Sequence, residues 1–194
     1  MDNDEQEIKR INRELCSKYP FLIPYDWSGH SLEDNPDWDY SLTWRDDVSF
    51  GWKHLFDLMC DELLDVIKGT GYFKTFRFGE VKSKFGELRI YSYDGNAETN
   101  RIIDKWCFLS GYVCETCGKP EVRITRGWIQ AICFDCWSKF HSPDYEDYIR
   151  HTGAVTYPPV LKITKLTNKV RTQTEINLEA EYQRLIDDWN MEEI

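Results

Sequence analysis

The chain is expected to adopt an α+β fold, a small antiparallel sheet packed by helices, with a treble-clef-like four-cysteine zinc finger. Three observations predict it. Apolar residues recur at steps of three and four between Ser49 and Lys68, the period of a helix that buries one face. They alternate in two segments, 73–81 and 88–93, the period of paired strands. Two Cys-x-x-Cys pairs, Cys114/Cys117 and Cys133/Cys136, then follow with fifteen residues between them.

At the N-terminus, Ile8, Ile11 and Leu15 share one face of a helix spanning 5–19, which Pro20 and Pro24 end. The stretch from Tyr25 through Trp27 and Trp38 to Trp44 mixes Trp, Tyr and Asp without a period. It reads as an ordered loop whose rings pack on the body, or as an exposed recognition loop. Ser49 is placed to cap the main helix. Trp52, Leu55, Met59, Leu63 and Val66 form its stripe, widened by Phe56 and Ile67, and Gly69 and Gly71 end it. Asp57, Asp61 and Asp65 recur at steps of four on another face, as solvated charges do.

In the strand pair, Phe76, Phe78, Leu88 and Ile90 face inward, and Gly79 marks a bulge that returns Val81 to that side. The other face and the turn bring together a candidate binding surface of Lys74, Arg77, Lys82, Lys84, Arg89, Tyr91 and Tyr93. Cations beside flat rings suit phosphates and stacked bases, and packing alone also places Tyr and Arg there. Ile102, Ile103, Trp106 and Leu109 predict a helix over 97–109.

Zinc takes four tetrahedral ligands, and two Cys-x-x-Cys turns aim four sulfurs at one ion at about 2.3 Å each. Gly118 after the first pair permits the positive φ of a knuckle. Segments 122–125 and 128–132 read as a hairpin joined at Arg126-Gly127, and Trp137 to Phe140 as the helix after the second pair. The metal ligands are therefore Cys114, Cys117, Cys133 and Cys136, holding one Zn2+. Two disulfides or a redox pair are the alternatives. A shell of four thiolates leaves no open position, so the ion is structural and not catalytic. Beyond the finger, 144–150 predicts a helical turn, Tyr157-Pro158-Pro159 a break and 160–166 an edge strand. Thr172 and Glu175 resemble a capping box before a closing helix marked by Leu178, Tyr182, Leu185 and Trp189.

This divides the chain into an N-terminal helix and aromatic/acidic loop (1–48), an α+β core (49–111), the finger (112–143) and a C-terminal strand and helix packing on the core (144–194). Net charge is −10, unevenly spread: 6 Lys+Arg against 16 Asp+Glu in residues 1–66, 12 against 8 in 67–143, and 6 against 10 in 144–194. No apolar run is long enough to span a membrane. The acidic start, Met1-Asp2-Asn3-Asp4-Glu5, lacks signal-peptide features, so the expected location is the cytoplasm, with Cys16, Cys60 and Cys107 as reduced thiols.

The combination of Cys60-Asp61-Glu62-Leu63, Lys84-Phe85-Gly86-Glu87-Leu88-Arg89, Cys114-Glu115-Thr116-Cys117-Gly118, Gly127-Trp128-Ile129 and Cys133-x-x-Cys136 resembles a group of small uncharacterised bacteriophage and bacterial proteins. They share a Lys-Phe-Gly-Glu/Gly-Leu-Arg strand, a Cys-x-x-Cys-Gly knuckle and a Gly-Trp strand. The resemblance spans about residues 50–137. It implies a phage or bacterial source, a host cytoplasmic location, and a host protein or defence system as target.

No phosphate loop, nucleophile elbow, His-Glu-x-x-His helix or zinc-deaminase pattern is present. His30, His54, His141 and His151 are scattered, and His141 is the one near enough to replace a sulfur ligand. The expected function is non-enzymatic binding of a protein partner. The alternative is a nucleic-acid-binding protein using the basic hairpin and the finger.

Overall fold

Helix α2, Lys53–Ile67, forms where the period predicts, and Trp52, Leu55, Phe56, Met59, Cys60, Leu63 and Ile67 are buried along it. The computed structural model describes residues 3–26, 28–156, 160–167 and 170–192. A single-turn 3-10 helix, Phe50–Trp52, leads into α2, and Ser49 makes no cap bond there. Its hydroxyl instead donates to Glu115 Oε1 at 3.0 Å. Gly69, at φ 79°, ends α2, whereas Gly71 is right-handed and starts a further short helix, α3 (Tyr72–Thr75). Residues 73–75 are thus helical, not strand.

The sheet hairpin pairs β1, Arg77–Lys84, with β2, Glu87–Tyr93, and the register slips at Gly79 as expected. A Cβ there would lie 2.2 Å from the exposed Tyr93 ring, which packs over the glycine and would have to move aside for any larger residue. Phe76 and Phe78 point inward and meet Phe21 at centroid distances of 5.5 and 5.1 Å. Helix α4, Ala97–Ser110, packs on α2 and β2 and opens with a capping box of Asn96 and Thr99. Its Lys105 is buried. Nζ meets Glu62 at 2.6 Å and Glu181 at 3.4 Å, which ties the C-terminal helix to the core.

The N-terminal helix α1, Asn3–Lys18, buries a different face from the one its apolar spacing implies. Asn12 and Cys16 are inside while Ile8 and Ile11 are exposed. The reason is polar: Asn12 Nδ2 donates to Tyr40 O at 3.0 Å and to Asp46 Oδ2 at 3.2 Å, docking α1 on the aromatic loop. In that loop Trp38, Tyr40 and Trp44 pack against the core as predicted. Two of the three spaced aspartates are not simply solvated. Asp57 holds Arg45 through two bonds of 2.7 Å, and Asp61 accepts from Tyr19 and Lys18 at 2.7 Å each.

In the finger, β3 (Arg123–Thr125) pairs with β4 (Ala131–Ile132), and α5 (Phe134–Ser138) follows. After α6, Tyr145–His151, strand β5, Thr152–Ala154, returns to the free edge of β3, so this small sheet continues past residue 143. Strands β6 (Val160–Thr167) and β7 (Val170–Asn177) form a hairpin where one edge strand was expected. Thr172 and Glu175 lie in β7 and so cannot cap. The first turn of α7 (Leu178–Glu192) is capped instead by Asn177, whose side chain accepts from Ala180 N at 3.2 Å. Leu178 and Leu185 are buried and Tyr182 is half-buried. Trp27, the 157–159 break and the Trp189 side chain lie outside the described residues. Among the described residues no helix is long and apolar enough to cross a membrane.

Candidate metal centre

The first cysteine pair sits in a turn that the backbone closes by itself. Gly118 N donates to Cys114 O and Cys114 N to Lys119 O, both at 2.8 Å, with Gly118 at φ 85° as a knuckle requires. The second pair is delivered by the β3/β4 hairpin. Cys133 stands at the N-terminal boundary of α5, and Cys136 points from its first turn. All four sulfurs lie within 4.8 Å of one another, and Cys117 Sγ and Cys133 Sγ are 3.7 Å apart. Four bonds of about 2.3 Å to a tetrahedral ion give a sulfur–sulfur edge of about 3.8 Å, whereas a disulfide needs about 2.05 Å. The residues present therefore fit a metal ion, and all seven cysteines are free thiols.

Electrostatics favour thiolate at this point. A hydrogen bond from the Cys133 thiol and the backbone N–H groups of Cys133, Cys117 and Thr116 pull the Cys114 thiol down to about 4. Cys133 is pushed up because it is the proton donor in that pair, and burial pushes Cys136 up to about 12. Both still carry protons at neutral pH and must lose them to bind metal. Metal uptake should therefore release at least two protons, and affinity should rise by at least about a hundredfold per pH unit near neutrality. Competition with a chromophoric chelator between about pH 6 and 8 checks this, and a flat profile would refute it.

The main helix reaches the centre directly. Gly51 N donates to Glu115 O at 3.0 Å, and buried Trp52 Nε1 donates to Val113 O at 3.0 Å. A Cβ on Gly51 would lie 2.1 Å from Cys114 O and 2.5 Å from Gly118 N. Nothing in the local sequence marks Gly51, because the contact spans more than sixty positions. His141 is not a ligand here; it stacks on Trp137 at 3.8 Å.

The structure disperses the charge of the sequence-predicted binding surface. Lys74 stands on α3, away from the strand ladder. Lys82 pairs with Glu80 at 2.8 Å, Arg89 with Glu87, and Arg77 with Asp94 at 3.5 Å. Arg77 also lies over the Tyr25 and Tyr93 rings. Tyr91 remains exposed, with Lys82 5.5 Å above its ring. Lys84 sits at the hairpin end, 5.2 Å over Phe85.

A feature that sequence reasoning missed lies beside the knuckle. The tip of the β1/β2 hairpin and the tip of the finger hairpin face a groove of about 410 Å³. Phe85 and Trp128 line it at 63% and 82% exposure, together with Ile129, Gln130 and Glu115. Isolated exposed rings are common, but two on one groove are not scattered surface. A second groove of about 430 Å³, lined in part by Cys117 and Gly118 of the knuckle, carries a third exposed ring, Phe50. No known protein family, curated protein or solved structure matches the chain.

Proposed function

We propose that the chain is a non-enzymatic module, stabilised by one structural zinc ion, that binds a protein partner through the groove between Phe85 and Trp128. The groove carries the reading. It presents two large exposed rings and an isoleucine in a concavity of about 410 Å³, the form of an anchor site for a partner's side chains. Zinc is the metal that best suits four thiolates in a tetrahedral turn-and-hairpin frame, and a closed sulfur shell supports a scaffold and not a reaction centre.

A net charge of −10 disfavours a polyanionic partner, and Glu80, Glu87 and Asp94 offset the hairpin cations that would hold phosphates. The nucleic-acid alternative keeps one specific support, exposed Tyr91 beside Lys82. The likeness to phage and bacterial proteins makes a host protein or defence factor in the bacterial cytoplasm the proposed target.

Affinity capture from nuclease-treated bacterial lysate tests the reading. A protein should be retained by the wild type and lost with Trp128→Ala, whose exposed side chain contributes little to the core. A salt-dependent shift of DNA or RNA at low micromolar protein, abolished by the double change Lys82→Ala and Lys84→Ala, would replace protein binding by the nucleic-acid alternative.

A further inference from the structure

We propose that the groove between Phe85 and Trp128 receives an arginine side chain of the partner, its guanidinium stacked on Trp128 and paired with Glu115. This deepens, and rests on, the protein-binding reading above.

The groove is built and not incidental. Phe85 and Gly86 form the two-residue turn of the hairpin, at φ 58° and 74°. Such turns favour Asn, Asp or Gly at the first position, and an aromatic residue in the left-handed region is strained there. Packing does not offset that strain, since the ring is 63% exposed. The turn is also seated on the finger: a Cβ on Gly86 would lie 3.1 Å from Ala131 N and 3.3 Å from Gln130 C. Opposite, the Thr125 hydroxyl donates to Trp128 O and accepts from Gln130 N at 2.8 Å, pinning the second rim.

Glu115 also lines the groove. Glu115 Oε1 accepts from Ser49, while Glu115 Oε2 is out of contact with solvent and has no hydrogen-bond partner. No cation pairs with Glu115 among the described ion pairs. A carboxylate only accepts, and an oxygen left unsatisfied away from water is costly. A donor entering the groove would relieve that cost. Among the described residues neither Trp128 nor Gln130 is held by a side-chain hydrogen bond, so both side chains can move to admit it.

Arginine suits both the ring and the acceptor. Its guanidinium is flat, stacks on aromatic faces and donates in its own plane to a carboxylate. The chain already supplies an internal precedent, since Lys84 Nζ lies 5.2 Å over the Phe85 ring and leaves Trp128 as the second platform. Lys84 also lines the groove, so the acceptor for an incoming guanidinium is Glu115 and not the overall charge of the chain.

The test is an NMR titration of zinc-loaded, nitrogen-15-labelled protein with the capped peptide Gly-Leu-Arg-Leu-Gly, its norleucine counterpart and a mixed-sequence single-stranded DNA. The arginine peptide should shift the Trp128 indole and the Phe85 amide. It should bind about tenfold or more tighter than the norleucine peptide. Glu115→Gln should erase that ratio with metal content unchanged, and Trp128→Ala should weaken both peptides. If Glu115→Gln loses metal, the ratio in the wild type decides by itself. Equal binding of the two peptides, lost in Trp128→Ala, would overturn the arginine inference and leave the protein-binding groove standing. DNA shifting the same resonances while neither peptide binds would overturn both.

Discussion

Cys133→Ser is expected to abolish stoichiometric metal binding and to unfold the finger. A serine hydroxyl cannot replace a thiolate, and structural zinc sites bind with apparent free energies of about 10–16 kcal/mol at neutral pH. Most substitutions cost about 0.5–3 kcal/mol, so this one stands well outside the usual range. The damage should not stay local. Cys114, Cys133 and Cys136 are buried in one continuous core cluster that includes Val122, Ile132, Trp137 and, at the entry to the main helix, Trp52. Metal analysis of freshly purified reduced protein, read beside a thermal melt, checks the expectation. Full occupancy in the variant, with an unchanged melt, would show that Cys133 is not a ligand.

Gly51→Ala is expected to have the second-largest effect, a loss of about 3 kcal/mol together with weaker metal binding. Overpacking costs about 1–3 kcal/mol when side chains can adjust, and more when they cannot. Here the added Cβ would meet backbone: Cys114 O at 2.1 Å, Gly118 N at 2.5 Å and Cys117 N at 2.7 Å. Relief requires moving the knuckle itself, which carries two of the four sulfurs, or lifting the start of α2 and breaking the bond from Trp52 Nε1 to Val113 O. Chemical denaturation and chelator competition on the same variant separate the two responses. Gly71→Ala is the control, since a Cβ there meets nothing within 4 Å. Equal behaviour of the two variants would remove the proposed coupling between main helix and metal centre.

Several features of the candidate site and its frame were legible because their causes are local. Two Cys-x-x-Cys turns and one glycine define the sulfur cluster, since each turn aims its own pair of sulfurs. The stripe Trp52, Leu55, Met59 and Leu63 follows the helical period, and all four residues are buried. The bulge at Gly79 is visible because alternation breaks there. The candidate cationic face was legible as residue types, and so was part of its neutralisation, because strand alternation puts Glu80 beside Lys82 and Glu87 beside Arg89 two residues along the same strand; only the pairing of Arg77 with Asp94 needs the two strands of the hairpin to meet.

Other features depend on partners distant in the chain. The buried face of α1 is chosen by the hydrogen bonds from Asn12 to Tyr40 and Asp46, so the apolar spacing of Ile8 and Ile11 misleads. Residues 73–75 have strand-forming composition, yet the connection from α2 winds them into a turn of helix before β1 begins. Ser49 could not be distinguished from a helix cap without knowing that Glu115 lies opposite it. The groove requires Phe85, Glu115 and Trp128 to meet from three separate segments. The sequence by itself determined the elements set by short-range periods and the four sulfurs, whose turn geometry is written within a few residues. Only the tertiary structure decided which buried polar groups are satisfied and which rings are left exposed, because those properties depend on what long-range packing places beside them.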